Sequence, residues 1–143
     1  LATRVFDFAH GQAKDVMVPR PDIVALSTTR SLDENLAVAD RSGFTRFPLV
    51  EGDSTDDIVG MVHIKDLLAR RTDDLRSLAR PVPRVPETKP IDQMLRDLQR
   101  NRLHMAVVVD EYGGTAGIVT IEDIVEEIVG DIQDEYDPTA PEM

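Results

Sequence analysis

No cysteine and no tryptophan occur in this chain, and aromatic residues make up only 4% of it. Without cysteine there are no disulfides and no thiolate metal sites, a composition that suits the cytoplasm. With so few aromatics the core must be aliphatic, and the hydrophobic share of 41% is enough to form one. Basic residues are scarce as well: 16 Lys and Arg stand against 27 Asp and Glu, for a net charge of −11. A nucleic-acid partner needs a basic surface, so none is expected. The longest uninterrupted apolar run, Met105–Val109, falls far short of the roughly 20 residues of a membrane span. There is no signal-peptide pattern and the chain begins at Leu1, as expected of a piece cut from a longer protein. Catalytic constellations are missing too. The chain has no Ser/His/Asp set with mechanistic spacing, no Gly-x-x-x-x-Gly-Lys loop and no metal-ligand His pair, so no enzyme is expected.

What the chain does have is a motif used twice. Gly117-Ile118-Val119-Thr120-Ile121-Glu122-Asp123 reads as a β-branched strand turning directly into a helix whose apolar face is Ile121, Ile124, Val125 and Ile128. Upstream, Gly60-Met61-Val62-His63-Ile64-Lys65-Asp66-Leu67-Leu68 repeats the order of glycine, strand, polar corner residue, Asp and apolar helix. The earlier elements recur as well. Ser31-Leu32-Asp33-Glu34 opens a helix with a capping box, and Pro90-Ile91 opens its counterpart with Ile91, Met94, Leu95 and Leu98 on one face. Strands at residues 47–51 and 106–110 follow these helices, and strands at 24–26 and 82–85 precede them. Residues 15–22, with Pro19 and Pro21, are expected to be an extended lead into the first strand. Gly43 suits a helix C-cap.

Each repeat is about 60 residues, too small to bury a good core alone. The expected class is α/β (α+β): two tandem repeats, each a three-stranded sheet with two helices, packed as a pseudo-two-fold pair. The first spans 15–78 and the second 79–137, with a lead-in at 1–14 and a tail at 138–143. The lead-in, weakly amphipathic through Val5, Phe6 and Phe8, reads as a short helix.

Thr120 and Asp123 admit two readings. They can simply cap a helix. Alternatively, the helix N-terminus and hydroxyl can meet an anion while the carboxylate one turn in accepts two ribose hydroxyls. In the first repeat His63 replaces the hydroxyl, and imidazole is not a standard N-cap, so a site built on His63 and Asp66 is expected to be weak or empty.

The tandem unit closed by Gly-x-Val-[Ser/Thr]-x-x-Asp resembles a CBS-domain pair (a Bateman module). Within that superfamily, Asp15-Val16-Met17-Val18-Pro19-Arg20, Thr45-Arg46-Phe47-Pro48, His104-Met105-Ala106-Val107-Val108-Val109-Asp110-Glu111-Tyr112-Gly113-Gly114 and the Thr120 motif resemble the CorC/HlyC group, associated with magnesium and cobalt efflux. The resemblance implies a regulatory module that binds an adenine nucleotide, ATP or AMP, with Mg2+ carried on the phosphates. It implies an adenine pocket at Val18, Ile23 and Phe44, with Phe47 and Pro48 in the same segment. Asp123 would take the ribose, and Arg46, His104 and Thr120 the phosphates, with Thr45 beside Arg46 offering a further hydroxyl. It places the segment around Arg46 across a cleft from Thr120 and Asp123. It also implies a homodimer, the remaining domains of a transport-related parent as partners, and a cytoplasmic location. Ordinary core contacts for Val18 and Ile23, and surface exposure for Arg46, are the plain alternatives.

Two other readings stand beside this one: a purely structural dimerisation module, and direct divalent-cation sensing through the acidic stretch of Glu122, Asp123, Glu126, Glu127, Asp131, Asp134, Glu135 and Asp137. The acidic run has no compact ligand cluster, so no protein-held metal site is expected.

Overall fold

A computed structural model describes residues 11–136, with the side chains of 11–130. The expected lead-in helix and the 138–143 tail fall outside the described residues. The elements are α1 (Ala13–Val16), β1 (Val18–Pro19), a 3-10 turn (Arg20–Asp22), β2 (Leu26–Ser27), α2 (Leu32–Ser42), β3 (Arg46–Val50), β4 (Ile58–His63) and α3 (Ile64–Arg70). A second 3-10 turn (Leu75–Leu78) leads to β5 (Arg84–Pro86), α4 (Ile91–Arg100), β6 (Met105–Val109), β7 (Thr115–Thr120) and α5 (Ile121–Tyr136). Among the described residues no helix is long and apolar enough to cross a membrane.

The chain divides into two compact units. One comprises Pro19–Pro83; the other takes residues 11–18 together with 84–136. The first carries the sheet β2-β3-β4, with β2 and β3 parallel and β3 and β4 antiparallel. The second carries β1-β7-β6-β5, with β5 and β6 parallel and β6 and β7 antiparallel. Both ladders slip at the same place, between Leu49 and Val50 in one and between Val108 and Val109 in the other. The repetition read in the sequence therefore extends to the irregularities.

Local chemistry explains the ends of the elements. Ser31 accepts from Glu34 N at 3.2 Å while the Glu34 carboxylate accepts from Ser31 N at 2.9 Å. These bonds hold the Glu34 carboxyl below its ordinary range, with the backbone bond the larger cause. Gly43 ends α2 at φ 71°, where a Cβ is disfavoured. Each core is aliphatic: Leu26, Leu49, Val62, Leu67 and Leu75 around Phe47 in the Pro19–Pro83 unit, and Ile91, Met94, Leu98, Val108, Val119 and Ile124 in the other. Buried Asn35 ties β2 to α2, accepting from Ser27 N and donating to Ser27 O, both at 3.0 Å.

Three expectations are corrected. Residues 15–22 are not simply extended: Asp15 accepts from Gln12 N at 2.9 Å to start α1, and Pro21 sits in the first turn of a 3-10 helix, where it forfeits no bond. The strands expected at 24–26 and 82–85 lie later, at Leu26–Ser27 and Arg84–Pro86, because each registers on the C-terminal half of its parallel partner. One sheet has four strands rather than three, the extra one being β1 from the opening of the first repeat.

Candidate functional site

The corner between β7 and α5 is built on Thr120 and Asp123. Thr120 Oγ1 accepts from Asp123 N at 3.1 Å, and Asp123 Oδ2 accepts from Thr120 N at 3.4 Å. The first bond is sound and the second is long, so the carboxylate is only loosely spent on the cap. Both side chains are half-buried. His104, also half-buried, precedes β6, and its carbonyl accepts from Ile121 N at 3.0 Å, which fixes it beside the first turn of α5. Asp123 also lines an open groove of about 470 Å3 with Val16, Glu126, Glu127, Val129 and Gly130.

Val18 reaches this corner through a close backbone approach. A Cβ on Gly117 would lie 2.4 Å from Val18 O and 2.8 Å from Met17 Sδ, so only glycine lets β1 lie against β7. The structure thus brings Val18, His104, Thr120 and Asp123 into one unit.

The other candidates belong to the Pro19–Pro83 unit. Phe44 is 54% exposed, and its ring centroid is 6.2 Å from that of Phe47, tilted by 50°. Phe47 and Pro48 are buried, Phe47 within the core, while Thr45 is exposed and Ile23 half-buried. Thr45 O accepts from Ile64 N at 2.8 Å, as His104 O does from Ile121 N. Arg46 is half-buried and pairs in register with His63.

His63 caps its helix although imidazole is not a standard N-cap: Nδ1 accepts from Lys65 N at 3.0 Å. Its imidazole is held below the ordinary histidine value, first by burial and then by Arg46 and Arg80. The neighbouring Asp66 accepts from Arg80 Nη2 at 2.8 Å. Arg80 is in place because it bridges Met61, mirroring β1 on β7. Gly60 permits this approach, with a Cβ there 2.9 Å from Ala79 Cβ and 3.0 Å from Arg80 O. The sequence reading missed this pairing of each sheet with the opening segment of the other repeat. The signal was present: a glycine inside each β-branched strand marks close backbone approach.

Among the described residues no group of three or more His, Cys, Asp or Glu is placed to hold a metal ion. The groups around Thr120 suit a polyhydroxylated, phosphorylated ligand: an acceptor carboxylate for hydroxyls, and a hydroxyl at a helix N-terminus for an anion.

Comparison with known proteins identifies the family of the chain. The family model described as CBS domain matches residues 13–73 and 74–130. The magnesium and cobalt efflux protein CorC of Pasteurella multocida is 46% identical over 93% of this chain and 46% of its own length. The UPF0053 protein YugS of Bacillus subtilis is 43% identical over 94% of this chain and 32% of its own. The chain thus spans less than half of either relative. The solved CBS domain of a bacterial CNNM/CorC family Mg2+ transporter in complex with ATP matches with a TM-score of 0.81 at 36% identity, covering 90% of this chain and 94% of that one. A CBS-domain pair with bound AMP from Klebsiella pneumoniae matches at 0.72 and 34% identity, covering 84% and 99%.

Proposed function

The chain belongs to the CBS domain family, carrying two copies in tandem, and on that premise we propose that it is the adenine-nucleotide-binding regulatory module of a CorC-like protein associated with magnesium and cobalt efflux. The observation that carries this reading is the Thr120–Asp123 corner, whose half-buried carboxylate is loosely held by its own cap and borders an open groove.

In this reading Asp123 accepts the 2′- and 3′-hydroxyls of a ribose. The Thr120 hydroxyl donates to a phosphate while its lone pair keeps the Asp123 N–H. His104 stands beside the same helix end. Val18 offers an apolar flank and backbone groups to adenine. Ile23, Phe44, Thr45, Arg46, Phe47 and Pro48 are proposed as further nucleotide-sensitive residues; the buried ring of Phe47 supports Phe44 rather than contacting ligand.

Glu126 and Glu127 beside Asp123 repel bare phosphate, so a triphosphate binds better as its Mg2+ complex. The metal is then carried by the nucleotide phosphates, which need few protein ligands.

We further propose a homodimer. Val125 and Val129 on α5 are 44% and 46% exposed, and a two-fold contact is the common way to cover such a face. The rest of the parent protein, with the module on its cytoplasmic side, is the proposed recipient of the binding signal.

Calorimetric titration with ATP, ADP and AMP, each with and without Mg2+, tests the reading. One nucleotide per chain is expected, with ATP improved by Mg2+. No heat and no thermal shift with any of the three at millimolar concentration sinks the nucleotide reading and leaves the structural dimerisation module.

A further inference from the structure

The corner between β4 and α3 carries chemistry that nucleotide binding does not use. α3 is seven residues long, so it has few internal hydrogen bonds and depends heavily on its ends. Its C-cap, Arg71, stands at φ 48°, a left-handed conformation that a side chain disfavours. Its N-cap is His63, through Nδ1. Both ends are thus held by residues that are poor at the task, so the first turn of α3 depends closely on its cap.

A cap made by imidazole differs from one made by a hydroxyl in one respect. Nδ1 accepts only while the ring is neutral with its proton on Nε2. Protonation puts a hydrogen on Nδ1, which then faces the Lys65 N–H as donor against donor. It also places a positive charge at the positive end of a helix.

The groups facing His63 work the same way. Arg46 lies opposite on β3, Arg80 follows the second 3-10 turn, and Lys65 lies on α3. The one carboxylate among them, Asp66, is paired with Arg80. A protonated ring has nowhere favourable to turn except Asp66, in competition with that pair.

We propose that His63 makes the β4–α3 corner a pH-sensitive switch: neutral His63 closes the first turn of α3, and protonated His63 opens it. Burial and the surrounding cations place the transition below the ordinary imidazole value of 6.5. The cap is intact above that value and is lost as pH falls through the lowered one. At α5 the acceptor of the Asp123 amide is the Thr120 hydroxyl, which does not titrate, so the histidine switch acts on the first repeat alone.

Amide hydrogen exchange and proton–nitrogen NMR on the intact chain between pH 8 and 5 test this. In the wild type, Lys65 protection, corrected for intrinsic rates, falls about fivefold, the equivalent of a lost N-cap. It falls with the same midpoint as the His63 ring signals, while the Asp123 amide is unchanged. His63→Asn, a cap that does not titrate, keeps Lys65 protected at both extremes. His63→Ala leaves it unprotected at both, and the Val62 and Leu67 amides report that the unit remains folded. Equal Lys65 protection at pH 5 and 8 in the wild type overturns the proposal. So does an equal acid loss in His63→Asn.

Discussion

The two strand-to-helix corners share a backbone plan and differ in how their carboxylates are spent. At the β7–α5 corner, Asp123 leans on its own cap through a 3.4 Å bond and borders an open groove. At the β4–α3 corner, Asp66 is engaged by Arg80 at 2.8 Å and the cap is a histidine. The same Asp, at the same place in the repeat, is available in one unit and occupied in the other. A repeated motif therefore predicts a repeated fold more safely than a repeated site. The decisive residues, Arg80 and His63, are small departures from the shared pattern.

The comparison breaks most forcefully at the glycines. Gly117→Ala drives a Cβ into the backbone oxygen of Val18, which cannot move aside without losing β1, so a loss of about 3 kcal/mol is expected. Gly60→Ala meets a Cβ and a backbone oxygen at the edge of tolerance, and about 1 kcal/mol is expected. Urea denaturation of both variants checks the order; equal losses would show that the two approaches are equivalent.

Next comes the carboxylate pair. Asp123→Ala is expected to weaken nucleotide binding by about 2 kcal/mol, roughly 30-fold, with the fold intact. Asp66→Ala is expected to change affinity less than about twofold and to cost under about 1 kcal/mol of stability, because its ion pair is exposed. Calorimetry on the two variants decides, and a larger loss from Asp66→Ala reverses the assignment.

Smaller still is the hydroxyl. Thr120→Val keeps the shape and removes the cap acceptor, costing about 1 kcal/mol by thermal unfolding. An unchanged melting temperature would mean that the bond contributes nothing.

The weakest expected effect compares α2 with α4. The depressed Glu34 carboxyl belongs to a capping box, while α4 opens on Pro90 with no side-chain cap. A lowered folded-state value gives stability above the ordinary value of 4.5 that is lost as pH falls through the lowered one. Exchange protection at the start of α2 should therefore fall between pH 5 and 3 while that of α4 holds. Parallel loss in both helices would assign the effect to general acid unfolding.

Much of this was legible in residues. The capping box at Ser31, the glycine C-cap at Gly43 and the corners at His63 and Thr120 obey local rules that need only a few neighbours along the chain. The aliphatic faces of α4 and α5 declared themselves by spacing, and Met94, Leu98 and Ile124 are buried as that spacing requires. What stayed hidden was non-local. Nothing near Asp66 in sequence announces Arg80, because the contact depends on how the chain returns to the sheet after α3. The fourth strand was missed for the same reason: Val18 pairs with a partner about a hundred residues away, and a two-residue strand has no period to read. His63 was underrated because imidazole is an uncommon cap, although its Nδ1 has the reach of a side-chain oxygen.

The placement of α1 and β1 has a consequence for how this protein is made. The Pro19–Pro83 unit is contiguous, whereas the other draws on both sides of it, so one unit is written inside the other. As the chain leaves the ribosome, the inner unit is complete first. The segment holding Ala13 and Val18 must wait for β7 to emerge, with an apolar side chain already exposed. Closing so long a loop is slow compared with the local contacts of the helices. A gene cut at the boundary between the repeats would therefore yield a second half without its edge strand, with the bare backbone of Gly117 facing water where Val18 belongs.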